Sequence, residues 1–336
     1  MKAYYLLFAA VLLLLLQSCD KNPLATKLPG EKVLLKLYRF DEDLRSADLS
    51  QSGFAYQNLY QKYGDFLPLF LESIVRIGPG NDSLSLSMCS DFLNDPYIAE
   101  TDRVIQEVYT TEKMNDLKES LETSFSYYAY YFPDSLIPSL IFYNSGYNFG
   151  IYSMDSTIAI GLDWFIGRDK EPIQQLPFPE YRKYKMDPEY LEANVVKDWC
   201  NRVLYQDMAG NNLLENLIYY GKIMYLLEAL TPGMEDSTRM NWKSGSVEWC
   251  ESNEFSIWKE LANQEILYNT DPFAVQKWII DGPFTAGLPQ ESPAMAGVWT
   301  GWQMLRDHHR RFPEQSLLQV LEAGAEEILK SYNPKK

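Results

Sequence analysis

Residues 212–230 place Leu213, Leu217, Tyr220, Met224 and Leu227 at steps of three and four, so one face of a long helix is apolar and must be buried. Pro232-Gly233 stops that helix. The flanking chain is patterned the same way, and helices are predicted at 188–205, 248–267, 274–280, 294–311 and 314–329. Glu291-Ser292-Pro293 reads as a helix start, with Ser292 capping the orphan amides and Pro293 in the first turn. With the second half committed to helices, any sheet must come from the first half.

There, residues 33–40 (VLLKLYRF) suit a first strand that ends at Asp41-Glu42-Asp43. Leu140-Ile141-Phe142-Tyr143 and Thr157-Ile158-Ala159-Ile160 flank a polar, glycine-containing stretch and read as neighbouring strands of a long hairpin. Between them, Tyr56, Tyr60, Tyr63, Leu67, Phe70 and Ile74 form a helical stripe, bent near Gly64 and Pro68. Residues 78–82 are a turn, Asp95-Pro96 opens another helix, and a further helix around Met114, Leu117 and Leu121 ends before Pro133. The proline-rich residues 172–179 form a loop leading to the helical half. The fold class expected is α+β and helix-dominated, with a small β-sheet or hairpin in the N-terminal half and a helical C-terminal half.

The N-terminus fixes the compartment. After Lys2, residues 3–16 are uninterruptedly apolar; fourteen residues fill a secretory signal but fall short of the ~20 that span a bilayer. Leu16-Gln17-Ser18-Cys19 then matches the bacterial lipobox, with Gln17 as a mild departure. The expectation is a signal peptide over 1–18 cleaved after Ser18, a fatty-acylated Cys19, a spacer over 19–31 and a single domain over 32–332. Such a chain is anchored to an envelope membrane by lipid and faces the periplasm without spanning the bilayer.

A formal charge of −16 argues against nucleic acid as a partner and against adhesion to anionic lipid. Besides Cys19 the chain has Cys89, Cys200 and Cys250, none in C-x-x-C spacing. A Cys200–Cys250 bridge in an oxidising compartment is one outcome, and three buried thiols acting as small hydrophobes is the other.

An ordered series of motifs resembles the gliding-motility lipoprotein GldB family. It begins with Arg39-Phe40-Asp41, Tyr131-Phe132-Pro133-Asp134 and Gly161-Leu162-Asp163, and continues with Tyr219-Tyr220-Gly221-Lys222-Ile223-Met224-Tyr225, Trp249, Asn253-Glu254 and Ile257-Trp258. Leu267-Tyr268, Thr270-Asp271, Pro283-Phe284-Thr285, Glu291-Ser292-Pro293, then Gly297, Trp299 and Gly301-Trp302-Gln303 complete it. The resemblance covers nearly the whole mature chain. It implies an envelope lipoprotein associated with gliding and linked secretion, with no defined catalytic activity.

Several of these residues have plain structural readings. Gly221, mid-helix among aromatics, is a packing device, and Lys222 reads as a snorkelling surface lysine, with a buried ion-pair partner as the alternative. Trp299 and Trp302 share a helix face; core packing is the default for such a pair, and a ligand platform is the alternative.

Catalytic sets are not evident. The order of strands and then a helix at 188–205 is distantly similar to zinc metallopeptidases of the zincin type, which carry H-E-x-x-H on that helix. The corresponding stretch, Lys197-Asp198-Trp199-Cys200-Asn201, offers a cation and a poor ligand instead, so the scaffold would be a degenerate one. The two histidines, His308 and His309, are adjacent and point about 100° apart, unable to chelate one metal together; they are expected to be exposed beside Arg306, Arg310 and Arg311. No serine triad or phosphate loop is recognisable, and Asp41/Asp43 or Glu265/Asp271 are acid pairs that 46 acidic residues produce by chance. The expectation is therefore no catalytic residue, no metal and no cofactor. The chain reads as a non-enzymatic assembly or interaction protein with envelope protein partners. The alternatives are a glycan- or peptidoglycan-binding module using tryptophans, and a carboxylate hydrolase.

Overall fold

The computed structural model describes residues 23–24, 27–28, 30–50, 52–80, 82–205 and 210–335. The expected signal peptide over 1–18, with Ser18, Cys19 and part of the expected spacer, lies outside the described residues. The chain is helix-dominated, with a four-stranded mixed sheet in its N-terminal half. The strands are β1 (Leu37–Arg39), β2 (Ser139–Tyr143), β3 (Ile151–Ser153) and β4 (Thr157–Gly161), in the order β1-β2-β4-β3.

Two strand expectations need correction. β2 and β4 are neighbours but run parallel, paired from Ser139 with Thr157 to Tyr143 with Gly161. The hairpin is β3–β4, because residues 144–156 first turn back along the outside of β4 and only then enter it. β1 is also shorter than the apolar run. Ahead of it, the Val33 amide donates to Ser126 Oγ and the Leu35 amide to Glu122 Oε1. Helical side chains thus satisfy backbone donors that would otherwise seek a strand.

The helices used below are α1 (Phe40–Ser46), α2 (Ser52–Tyr63), α3 (Ser83–Asn94), α4 (Pro96–Val108), α5 (Thr111–Tyr131), α6 (Leu191–Val203), α7 (Leu213–Leu230), α8 (Asp236–Met240), α9 (Ser246–Leu261), α10 (Pro272–Ile279), α11 (Ala296–Arg311), α12 (Leu317–Glu322) and α13 (Ala325–Ser331). Local chemistry sets their ends. Asp95 accepts from the Tyr97 and Ile98 amides with Pro96 in the first turn, and Asn212 with Glu215 forms a reciprocal capping box at α7. The stripe from Tyr56 to Ile74 bends where expected: Gly64 takes a left-handed φ of 51°, and after Pro68 one π-helical turn runs Leu69–Ile74.

Ser292 does not cap α11. The helix starts three residues beyond Pro293, after Met295 in the left-handed region, and Thr285 Oγ1 accepts from the Ala296 amide while donating to the Pro293 carbonyl. A cap from a distant loop has no local sequence signature. The stretch 314–329 likewise divides into α12 and α13, with Ala323 and Gly324 extended between them.

Alternate residues of β2 and β4 face opposite ways, so the sheet is covered on both sides and its strands read as continuous apolar runs. Ile141, Tyr143 and Ala159 pack with Phe40, Tyr63, Phe66 and Phe70 on the N-terminal side. Leu140, Phe142, Ile158 and Ile160 join the larger core of α5, α6, α7 and α11. In that core α7 and α11 cross at glycines. A Cβ on Gly221 would meet the Gly301 carbonyl carbon at 2.5 Å, and one on Gly301 would meet the Leu217 carbonyl oxygen at 1.9 Å.

A candidate ligand cleft beside the helix at 191–203

The second turn of α6 onward carries Asn194, Lys197, Asp198 and Asn201 at i, i+3, i+4 and i+7, one face of the helix. Its other face, Val195, Val196, Trp199 and Cys200, is buried in the core. The polar face looks into a cleft of about 670 Å³, within the roughly 300–1,000 Å³ that accommodates small ligands. Across it stand residues 148–150 and Ile151 of the edge strand β3, with Trp164, Phe165 and Arg182. The floor is apolar, from Ile223 and Met224 of α7, Met240 of α8, and Met295 and Val298 at the start of α11.

Two polar networks hold the walls. On one side, the Ser153 hydroxyl donates to Asp198, which fastens β3 to α6. Burial raises the Asp198 carboxyl, and the Ser153 hydrogen bond and Arg202 pull it back. On the other side, Asp163 is fully buried and accepts from the Ser145 amide at 3.1 Å, the Ser145 hydroxyl at 2.7 Å and the Tyr147 amide at 2.6 Å. These bonds shape the loop that delivers Asn148, Phe149 and Gly150 to the cleft. Tyr147 sits there at a φ of 61°, which a bulky residue adopts only when its surroundings hold it. Burial pushes Asp163 up to about 6 against those hydrogen bonds.

Lys197 is the unusual group. Burial, helped by the nearby Lys185 ammonium, pushes it down to about 8 against the pull of Asp281 and Asp198. Asp281 is already paired with Lys185, and Asp198 with Ser153. Among the described residues Lys197 makes no hydrogen bond and no ion pair.

The sequence-derived candidates fall elsewhere. Trp299 and Trp302 are 1% and 0% exposed, so packing is what the structure shows at both rings. Trp302 donates to Glu228 Oε2 and carries the Arg306 guanidinium over its face, locking α11 to α7. Trp249 and Trp258 are half-buried. Cys89, Cys200 and Cys250 are free, buried thiols. Lys222 is half-buried. Neither acid pair converges on the cleft: Asp41 binds Arg39, Asp43 binds Lys62 and Tyr63, and Asp271 accepts from the Phe273 amide at the start of α10. Among the described residues, no group of three His, Cys, Asp or Glu side chains is placed to hold a metal ion.

His308 and His309 correct an expectation, for both are buried. The chain doubles back after Phe312, so Gln315 covers the end of α11. His308 bonds Ser331 Oγ and Gln315 Oε1. His309 Nε2 donates to the Gln315 carbonyl, leaving Nδ1 to accept from the Tyr225 hydroxyl at 2.6 Å. Burial holds His309 below the usual histidine range. The unfolded chain therefore takes up a proton near pH ~6.5 that the folded chain refuses, and His309's contribution to stability falls as pH drops through that value. Thermal melts between pH 7.5 and 5.5 are expected to decline more steeply for the native chain than for His309→Gln; equal slopes would refute this assignment.

The cleft was only half visible beforehand. Sequence alone gives Lys197 as a cation, Asn201 as a poor metal ligand and Tyr220 only as part of an apolar helix face, and it singles out neither Arg182 nor Trp164. The available signal was a polar stripe at 194, 197, 198 and 201 on a helix whose other positions are apolar.

Fold and cleft define a class: a helix-dominated α+β protein with a sheet covered on both faces and an apolar-floored, polar-walled cleft. Among the described residues no helix is long and apolar enough to cross a membrane. The chain belongs to the family described as gliding motility protein GldB, a lipoprotein family whose model matches residues 21–334. No curated protein and no solved structure matches it.

Proposed function

We propose that this chain is a lipid-anchored cell-envelope protein with a non-enzymatic assembly or interaction role in gliding motility and its associated secretion. It is cleaved after Ser18, acylated on Cys19, folded as one domain over 32–332 and directed toward the periplasm. The observation that carries this reading is the family match over residues 21–334. The side-chain chemistry agrees with it. Both histidines are engaged in structural hydrogen bonds away from the cleft, and the cleft gathers an ammonium, a guanidinium, a carboxyl held by Ser153, amides and a phenol, groups that can hold a ligand.

Mass spectrometry of protein purified from its own envelope is expected to show a mature end at Cys19 bearing acyl chains. Cys19→Ala is expected to move the folded body from the membrane to the soluble fraction, since the acyl chains, at ~0.8 kcal/mol per buried CH₂, are its tether. Deletion in a gliding host is expected to abolish gliding. An unprocessed Met1 start, or full motility without the protein, would overturn the reading.

A further inference from the structure

The cleft has an imbalance of hydrogen-bonding groups. Its one carboxylate, Asp198, is occupied by Ser153. The Asn194 amide exchanges both its bonds with Asn241, and Asn201 uses its oxygen to accept from Tyr219. Side-chain donors without an acceptor among the described residues outnumber the one amide oxygen, Asn148 Oδ1, that lacks a donor: they are the Lys197 ammonium in the wall, the Arg182 guanidinium at the mouth, the Asn201 amide nitrogen and the Tyr220 hydroxyl. Arg182 is exposed and stacks on Phe178, 4.3 Å from the ring centre, which fixes it at the rim without satisfying its N–H groups. Trp164 Nε1, also in the lining, is buried without a partner.

That pattern is selective. The Lys197 ammonium is largely withdrawn from bulk water into the cleft, and a charge so placed is costly to maintain without a close partner. Asp198 and Asp281 are near enough to pull on it, but neither forms an ion pair with it, and each is already paired elsewhere. Donors surrounding an apolar floor of three methionines, Ile223 and Val298 match a molecule that brings acceptors at one end and hydrocarbon at the other.

We propose that the cleft binds a carboxylate carried on an apolar body, with Lys197 as the group that receives the carboxylate. This rests on the reading of the chain as an interaction protein and names the ligand class of its cleft. Arg182 assists at the mouth, and the methionine floor takes the hydrocarbon. Two sources share this chemistry: the free C-terminus of a peptide ending in apolar residues, and a free fatty acid.

The test uses the lipidated chain in phospholipid nanodiscs and titration calorimetry with two matched pairs. One pair is N-acetyl-Phe-Leu and its C-terminal amide; the other is octanoate and octanamide. In at least one pair the acid is expected to bind about ten-fold or more tightly than the amide, the scale of one charge-assisted hydrogen bond. Preference in the peptide pair assigns a chain end, and preference in the other assigns a fatty acid. Lys197→Met is expected to erase the preference while leaving the melting temperature unchanged or raised, because it removes a desolvated charge that forms no ion pair. Lys197→Arg is expected to retain part of it. Equal binding of acid and amide in both pairs, no binding of either acid, or a preference that survives Lys197→Met overturns the proposal. Cys19 acylation and the deletion phenotype are measured separately, so an inert cleft would remove the ligand class and leave the envelope role to be judged by them.

Discussion

Gly301→Ala is expected to lower the unfolding free energy by about 3 kcal/mol or more, the upper end for an overpacked core. The added methyl would lie 1.9 Å from the Leu217 carbonyl oxygen and 2.6 Å from its carbon. Both are backbone atoms of α7, so no rotamer change relieves the clash and the two helices must separate. The neighbours cannot yield cheaply. Gly221 faces the same crossing from the other side, and α11 is tied to α7 through Trp302, Arg306 and Glu228. At this chain length, with an unfolding entropy of about 2.1 cal/mol/K per residue, the loss corresponds to a melting temperature lower by ~5 °C. Gly53→Ala in the first turn of α2 is the control: nothing stands within 4 Å of its added methyl, so the exchange is expected to leave stability unchanged or slightly raised. If Gly301→Ala melted with the native protein, the close approach of α7 and α11 would be wrong.

The same contact shows what the sequence could disclose. Gly221 announced itself as a packing glycine because a long, strongly periodic helix has no other use for one. Its partner Gly301 was part of a recognised motif, but the pairing of the two across the core is tertiary. Helices with strong periods and local caps were legible, as at Asp95 and Asn212. Elements decided at long range were not. The parallel pairing of β2 and β4 depends on where β3 folds back, Thr285 caps α11 from eleven residues away, and the cover over His308 and His309 is made by a reversal of the chain after Phe312. A run of basic residues at a helix end reads as solvent-facing until something packs on it.

The cleft obeys the same rule. Its floor comes from α7, α8 and α11, and its opposite wall from a loop more than forty residues ahead of α6. Only the α6 face was contiguous enough to be read. There, residues that were noted for failing to bind a metal prove to be the polar wall of a cavity, so the negative finding pointed to the right place.

The loop across the cleft supplies the second large effect. Asp163→Ala is expected to destabilise the protein by about 2–3 kcal/mol at neutral pH, because it strands the Ser145 and Tyr147 amides inside the core. The size of that loss should depend on pH in a definite sense. Burial raises Asp163 to about 6 in the folded chain, whereas in the unfolded chain it titrates near 3.8. Between those values the folded state binds the additional proton, so the native protein gains stability from this group as pH falls from 7 toward 4, opposite in sign to His309. The gap between native and Asp163→Ala should therefore widen over that interval in urea titrations followed at each pH. A gap that stayed constant, or narrowed, would mean that Asp163 does not hold its proton in the way its burial requires. The variant also reports on the cleft. Tyr147 keeps its left-handed backbone only while Asp163 and the Thr101 hydroxyl restrain it, and Asn148 through Gly150 follow from it in the chain. Loss of that anchor should weaken acid and amide ligands equally, since it deforms the wall without touching Lys197, whereas Lys197→Met should weaken the acid alone.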